Sequence, residues 1–232
     1  MTDILSQSKS GKIFGTVDCA VALSDVFAND EKVKSAFSTL QLVPMRFYRD
    51  NVIACEGDRA ENMFFVVRGV ARTCKNCRQG VRNIVAFYLP GDFFGWTEAK
   101  HSLSIEAATD IEVLFIKRSA LLALASRNTF VGRFLLRAAT KELAKAQDHI
   151  LLMSKLAKCR VATFLNDLWV RLGRAEYLDI PISHQDIADH LGLTIETVSR
   201  TIAELERSRM ITRVSSKKLL IQSRLALGHM MN

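Results

Sequence analysis

The chain has 232 residues, 49% hydrophobic and 24% charged, which is the composition of a folded protein with a packed core rather than of a disordered one. No uninterrupted apolar stretch approaches the ~20 residues that a membrane-spanning helix requires. The polar segment Met1–Gly15 also lacks the apolar core of a secretion signal, so we expect a cytoplasmic protein. The net charge of +8 favours a polyanionic partner, and an odd cysteine count of five favours free thiols over a disulfide framework.

The N-terminal half of the sequence predicts β-structure. Residues 1–27 are expected to form a loosely structured arm, and residues 28–125 a β-domain. Within it, short apolar runs alternate with glycine-containing turns, where glycine accepts positive φ at no steric cost. The runs are Asn51–Cys55, Met63–Val67, Val81–Tyr88 and Ile111–Ile116. Short strands at such spacing predict a sandwich or a barrel.

A long helix is predicted next, because Asn128–Lys158 could extend for ~45 Å at the rise of an α-helix. Its apolar residues follow a 3-4-3-4-3 spacing, which is the seam of a coiled coil. They are Leu136, Ala139, Leu143, Ala146, Ile150 and Met153. Two interpretations stay open: the stripe packs on the chain's own β-domain, or it forms a parallel two-helix dimer interface. The length favours the dimer, and residues 126–156 are assigned to a dimerisation helix.

Residues 157–232 are predicted to form a winged helix-turn-helix domain. An amphipathic helix at Arg160–Arg171 comes first, followed by a loop at Gly173–Pro181. The apolar face of this helix carries Val161, Phe164, Leu165 and Leu168. Two short apolar strands, Ile211–Val214 and Leu219–Ile221, surround a polar turn and predict a hairpin, or wing. The overall expectation is an α+β fold.

The strongest functional signal is a helix-turn-helix pattern at about Ser183–Arg207. Ser183 is placed to cap the first helix, and Gly192 stands where the turn needs positive φ. Thr194 is placed to cap the second helix. The inward-facing positions are Ile187, Ala188, Leu191, Leu193, Val198, Ile202 and Leu205.

The exposed face of the second helix is expected to read DNA bases. Its candidates are Ile195, Glu196, Ser199 and Arg200. Arginine matches the two acceptors on the guanine edge, and glutamate can accept from the cytosine amino group. Candidate phosphate contacts are Ser183, His184, Thr194, Thr197, Lys217 and Lys218. Between Arg200 and Arg224 the sequence has seven basic and two acidic residues, a local charge of +5 that attracts phosphate.

These residues resemble the CRP/FNR family of bacterial transcription regulators. The segment Leu191–Arg200 is similar to the FNR-type recognition pattern Glu-x-x-Ser-Arg. Gly69 and the stretch Pro90–Gly95 resemble the family's cyclic-nucleotide-binding β-roll, and the long helix resembles its dimerisation helix. The resemblance extends to FixK-like regulators, which act in oxygen-limited gene control in rhizobia. It implies a homodimer on a TTGA-N6-TCAA-type palindrome and activation through contact with RNA polymerase.

Three departures from the family pattern predict that the usual effectors do not bind. Trp96 stands where cyclic-AMP-binding members have a ribose-binding glutamate, and it could fill the vacated pocket or pack in the core. His101-Ser102 is the nearest match to the arginine–serine pair for the cyclic phosphate. Only Cys19 lies where oxygen-sensing members carry an N-terminal cysteine cluster, which argues against a [4Fe–4S] centre. No cofactor and no metal site are therefore expected.

The remaining candidates favour a binding protein over an enzyme. The Cys74-x-x-Cys77 spacing fits half a zinc site or a redox pair, but no second ligand pair lies nearby, so an incidental role is preferred. No phosphate loop, nucleophile elbow or carboxylate–histidine cluster is present. The leading hypothesis is a DNA-binding activator that needs no effector. The alternative is a redox- or ligand-responsive receptor whose β-roll switches DNA binding.

Overall fold

The computed structural model describes residues 31–76, 82–173, 175–215 and 218–222. Within them the chain divides into two compact units. One contains the chain up to Val81 together with Val85–Ala144, and the other contains Arg82–Ile84 together with Lys145 onward. The predicted arm at residues 1–27, Cys19, Cys77 and Lys217 lie outside the described residues.

A β-roll built from two four-stranded sheets makes up most of the first unit, as the sequence predicted. Its first described element is a short helix, α1 (Glu31–Phe37), and eight strands follow. These are β1 (Leu42–Phe47), β2 (Val52–Ala54), β3 (Asn62–Arg68), β4 (Ala71–Asn76), β5 (Arg82–Tyr88), β6 (Phe93–Phe94), β7 (Ser104–Ala107) and β8 (Ile111–Lys117). The sheet orders are β1-β8-β3-β6 and β2-β7-β4-β5.

The alternation of side chains along β3 and β6 divides the core of this unit into two clusters, because successive residues of a strand point to opposite faces. Phe64 and Phe94 stack with ring centroids 5.2 Å apart in the cluster between the two sheets. Their neighbours Phe65 and Phe93 belong to a second cluster, which the first sheet forms with the helices. Two helices complete this side: α2 (Arg118–Arg127) and α3 (Thr129–Met153).

Gly69 turns the chain between β3 and β4, and no other residue fits there. Its φ is +80°, and a Cβ atom at this position would lie 2.2 Å from the carbonyl oxygen of Asp110. Both the backbone conformation and the close approach therefore require glycine.

The long helix α3 ends at Met153, so the predicted continuation to Lys158 was wrong. The amides of Ser154 and Lys155 bond three residues back, to Leu151 and Leu152, which tightens and ends the last turn. A new helix, α4 (Ala157–Arg171), starts after this break. The apolar face predicted for it is confirmed, since Val161, Phe164, Leu165 and Leu168 are all buried.

The second unit is a winged helix-turn-helix domain. After α4 come β9 (Tyr177–Asp179), α5 (His184–Leu191), α6 (Ile195–Arg207), β10 (Ile211–Arg213) and β11 (Lys218–Ile221). The wing predicted from the C-terminal sequence is confirmed as the β10–β11 pair. The loop predicted at Gly173–Pro181 contains β9, which pairs antiparallel with β11. Its three residues are too few to show a periodicity. Among the described helices, none has the length and apolar character needed to cross a membrane.

Candidate nucleic-acid interface

The turn between α5 and α6 has the geometry that its sequence predicted. The Ser183 hydroxyl accepts the amide of Asp186 at 3.0 Å and caps α5. Gly192 ends the helix with φ +61° in the left-handed region, and its amide donates to the Ala188 carbonyl. The amide of Leu193 donates to the same carbonyl at 3.0 Å. The turn is thus fixed by backbone bonds that only this conformation allows.

The second helix, α6, is capped and anchored along one face. The Thr194 hydroxyl accepts the amide of Thr197 at 3.2 Å. The hydroxyls of these two threonines also lie 3.1 Å apart. Both residues, which the sequence indicated as candidate phosphate contacts, therefore lie at the N-terminal cap of α6. Val198, Ile202 and Leu205 are buried as predicted. Thr201 is buried as well, which the apolar pattern could not indicate.

The outward face of α6 carries the four predicted base-reading residues. Glu196 and Arg200 are exposed, Ile195 is 38% exposed, and Ser199 is half-buried. Hydrogen bonds from the Glu196 backbone amide and the Thr194 side chain lower the pKa of the Glu196 carboxyl. Glu196 is therefore charged at neutral pH and acts only as an acceptor. Arg200 supplies the donors of this face.

Ser199 has a partner that the sequence did not reveal. The Nδ1 atom of His184, in the first turn of α5, lies 3.3 Å from the Ser199 Oγ. Desolvation, and then the charge of Arg213 on β10, lower the pKa of His184, so its ring is neutral at neutral pH. No local signal links two residues fifteen positions apart; only the crossing of α5 and α6 brings them together.

The basic residues of this unit are distributed between the end of α6 and the wing. Arg207 and Arg209 are exposed. Arg213 lies 3.7 Å from the Glu206 carboxylate, so its charge is partly compensated. Lys218 is exposed at the start of β11, with its Nζ 5.9 Å from the centre of the Tyr177 ring. These side chains supply positive charge at the domain surface, which is what contact with phosphate requires.

The predicted seam on α3 is largely uncovered in the single chain. Leu136, Leu143 and Ile150, at intervals of seven residues, are 66%, 60% and 70% exposed. Ala146 is exposed, and Ala139 and Met153 are half-buried. The buried residues of the helix lie elsewhere on it, for example Val131 and Leu135 in the helical cluster of the first unit. For Leu136 and Leu143, which belong to the first unit, the interpretation that the seam packs on the chain's own β-domain is therefore wrong.

Both units match known domain families. Residues 159–230 match the Crp-like helix-turn-helix domain, and residues 44–128 match the cyclic nucleotide-binding domain. The nitrogen fixation regulation protein FixK of Azorhizobium caulinodans is 40% identical over 88% of this chain and 84% of its own length. This chain belongs to the CRP/FNR family of transcription regulators.

Other members of the CRP/FNR family agree with this assignment. The transcriptional activatory protein AadR of Rhodopseudomonas palustris is 36% identical over 72% of each chain. The solved structure of FixK2 from Bradyrhizobium japonicum is 36% identical, superposes with a TM-score of 0.79, and covers 83% of this chain and 98% of its own. The chain is therefore a FixK-like, DNA-binding transcription activator, from a family of regulators rather than of enzymes.

Trp96 and His101, the two positions at which the sequence predicted a departure from a cyclic-nucleotide site, have partners within the β-roll unit. Trp96 packs against the helical cluster, with its ring centroid 5.4 Å from that of Phe93 and its Nε1 donating to the Phe93 carbonyl. This contact is core packing, one of the two roles considered for Trp96. His101 is buried, and desolvation lowers its pKa, so it is neutral at neutral pH and offers no charge to a phosphate.

The cysteine and histidine residues do not combine into a metal centre within the described part of the chain. Cys74 is buried on β4. Among the described residues, no group of three or more histidine, cysteine or acidic side chains is arranged to hold a metal ion.

Proposed function

We propose that this protein is a homodimeric, effector-independent activator that acts in the cytoplasm. It would bind a TTGA-N6-TCAA-type palindrome and contact RNA polymerase at genes for oxygen-limited growth, as the resemblance to FixK-like regulators implies. A role in nitrogen fixation is proposed from the name of its relative, the nitrogen fixation regulation protein FixK. The observation that carries this proposal is the exposed face of the capped helix α6, where Glu196, Ser199 and Arg200 stand together.

Base reading is assigned to this face because its chemistry matches the edges of one half-site. Arg200 would donate to the two acceptors of guanine, and the charged Glu196 would accept from an exposed amino group of cytosine or adenine. Ser199 would contact a neighbouring base. Ile195 has no polar group in its side chain and would touch a thymine methyl group.

Phosphate contacts are assigned to polar groups at the helix starts and on the wing. A helix N-terminus carries positive potential and unpaired amides, so hydroxyls there meet the DNA backbone as the helix enters the groove. The proposed contacts are Ser183, His184, Thr194, Thr197, Lys217 and Lys218.

Dimerisation is assigned to the exposed seam of α3. The leucine and isoleucine side chains of this seam recur at heptad spacing and are more than half exposed to water. A second copy of the helix packed on them would remove this apolar surface from water. A parallel two-fold pair would also give the two copies of α6 the symmetry that a palindromic site requires. The proposed interface comprises Leu136, Ala139, Leu143, Ala146, Ile150 and Met153.

Effector independence is supported by polar groups of the first unit that are already paired with α3. The Tyr88 hydroxyl donates to the Glu142 carboxylate at 2.7 Å, and Lys141 lies 3.3 Å from the Asp92 carboxylate. An effector lying between β-roll and helix would have to break these bonds.

A selection of duplexes tests the proposal. Purified full-length protein, with no small molecule added, would be incubated with random DNA, and the retained sequences would be read. The expected result is enrichment of a two-fold palindrome with TTGA half-sites. Enrichment only after addition of an oxidant or a nucleotide would overturn effector independence and favour the receptor function. Enrichment of a single half-site would overturn the dimer.

A further inference from the structure

We infer that His184 is a positioning residue that determines whether the Ser199 hydroxyl donates or accepts a hydrogen bond at a base. A phosphate contact made by His184 would thereby influence which base Ser199 reads. This inference rests on the proposed function, because it describes how the α6 face would read one base. The geometry that carries it is the pair formed by the His184 Nδ1 and the Ser199 Oγ, 3.3 Å apart across the α5–α6 crossing.

A serine hydroxyl has one hydrogen and two lone pairs, so its partner decides which base edge it can read. When the hydrogen points to the His184 Nδ1, the Ser199 oxygen is left as an acceptor. It then matches an amino group, on adenine or cytosine, and not the carbonyl oxygens of thymine or guanine. When Nδ1 carries a proton instead, it donates to Ser199, and the hydroxyl hydrogen is free to turn toward a carbonyl. The two arrangements select different bases.

The protonation state of His184 permits the first arrangement at neutral pH, because a neutral ring leaves one nitrogen free to accept a hydrogen bond. Desolvation and the nearby Arg213 on β10 lower the His184 pKa, so the ring is neutral. Arg213 itself lies 3.7 Å from Glu206, and Ser199 faces the ring from α6. In a neutral imidazole only one nitrogen carries hydrogen.

The position of His184 in the first turn of α5 then adds a second effect. With Nδ1 accepting from Ser199, the hydrogen lies on Nε2, on the far side of the ring, where it can donate to a phosphate oxygen. A phosphate at Nε2 holds the tautomer that makes Ser199 an acceptor. Ser199 is therefore held as an acceptor toward the base when a phosphate of the DNA backbone lies at the Nε2 atom of His184.

The first experiment measures the tautomer in the free protein, so that it does not depend on DNA binding. Proton–nitrogen correlation spectra of the full-length protein should show His184 with hydrogen on Nε2 and an accepting Nδ1. In Ser199→Ala the tautomer preference should weaken. A His184 ring with hydrogen on Nδ1 in the free protein would overturn the inference even if the protein binds its palindrome.

The second experiment measures base preference with one half-site position varied at a time. Ser199→Ala should reduce discrimination at one base pair roughly three- to tenfold, the effect of one hydrogen bond. His184→Ala should relax discrimination at that same pair, and the double variant should lose no more than either single one. His184→Asn keeps a polar group near the Nδ1 position and should recover part of the discrimination. Thermal unfolding of each variant verifies the fold.

A pH series separates positioning from a purely structural role. Lowering the pH through the His184 pKa should reduce the wild-type preference at this pair and leave that of His184→Asn unchanged. A uniform loss of affinity in His184→Ala with full discrimination, or additive losses in the double variant, would make His184 a phosphate contact only. Failure of the wild type to select any sequence would instead overturn the proposed function.

Discussion

At the scale of single residues, function depends on how α6 divides its side chains between core and surface. Val198, Ile202 and Leu205 are buried, which turns Glu196 and Arg200 outward. This division could be predicted from the sequence because it follows from helical periodicity alone. The contact between His184 and Ser199 could not, because it depends on the angle at which two helices cross.

Arg200→Ala should weaken binding by about 1–3 kcal/mol per half-site and relax the preference for the G·C pair, because the guanidinium is expected to donate to both acceptors of guanine. The measurement is a binding series in which every base of one half-site is varied. Thr197→Val and Lys218→Ala are the matched controls, since both remove expected phosphate contacts and should weaken all sequences alike. Full discrimination in Arg200→Ala, with uniformly lower affinity, would show that Arg200 contacts phosphate.

At the scale of the elements, the junction between α3 and α4 is stabilised by the side chain of Arg160 in addition to its backbone bonds. The Arg160 guanidinium donates to the carbonyl oxygens of Lys155 at 2.8 Å, Leu191 at 3.0 Å and Met153 at 2.6 Å. Carbonyls at a helix end have no intrahelical partner, and a charged donor with a planar fork can satisfy several at once.

Arg160→Lys should therefore destabilise the winged helix-turn-helix unit by about 2–4 kcal/mol, because an ammonium group cannot reach all three carbonyls and each lost partner costs about 1–3 kcal/mol. Urea unfolding followed by the fluorescence of Trp169, in a Trp96→Phe background, would report on this unit. Arg133→Lys, at an exposed position of α3, is the control and should change stability by less than about 0.5 kcal/mol. Equal stability of the two variants would contradict the role given to Arg160.

The junction between α3 and α4 also shows why the end of α3 could not be predicted from the sequence. The apolar periodicity runs from Leu136 to Met153, and no glycine or proline follows before Gly173, so the sequence indicated one helix up to Lys158. The break at Ser154–Leu156 is stabilised by Arg160, through bonds to a turn that is distant in sequence, at Leu191. Similarly, β9 exists because β11 pairs with it. Local patterns do not contain such long-range partners.

A histidine pair links α3 to α5 within the second unit and should make its stability depend on pH. The rings of His149 and His190 stack with centroids 4.5 Å apart, and Phe164 packs against His190. Desolvation, followed by the charge of His149, lowers the pKa of His190 from 6.5 to about 4. Desolvation also lowers the pKa of His149.

The direction in which stability changes with pH follows from proton binding. Between pH 6.5 and about 4 the unfolded chain takes up a proton at His190 that the folded chain does not. Stability should therefore be complete above pH 6.5 and fall as the pH decreases, by up to about 3 kcal/mol below the folded pKa. Urea unfolding at several pH values, followed by Trp169 fluorescence, measures this decrease. His190→Gln should show a shallower dependence, and identical slopes for variant and wild type would contradict the assignment.

At the scale of the whole molecule, we expect this protein to bind DNA without a cyclic nucleotide, although it contains a cyclic nucleotide-binding domain. Trp96, which the family resemblance places at the ribose position, packs against Phe93, and Tyr88 is already bonded to Glu142 on α3. Cyclic AMP at millimolar concentration should therefore leave the DNA affinity unchanged, and calorimetry should detect no saturable heat. Saturable binding with a measurable change in DNA affinity would show that the β-roll is a receptor.

A palindromic site requires two copies of α6, and the seam on α3 is the surface proposed to join the two chains. Leu143 is 60% exposed in the single chain and lies between Leu136 and Ile150 on the seam. Leu143→Glu would place two like charges against each other at the centre of a two-fold interface, where the cost of desolvating them adds to their repulsion. Sedimentation velocity should show the wild type as a dimer and this variant as a monomer at the same concentration.

Gln147→Glu provides the matched control, because it adds the same charge one turn further along α3 at an exposed position outside the seam. Positions beside a coiled-coil seam tolerate glutamate, so this variant should remain dimeric and bind DNA as the wild type does. The monomeric variant should lose affinity for the full palindrome far more than for a single half-site, because the two α6 helices would have to bind as separate molecules. An unchanged dimer in Leu143→Glu would mean that another surface joins the two chains.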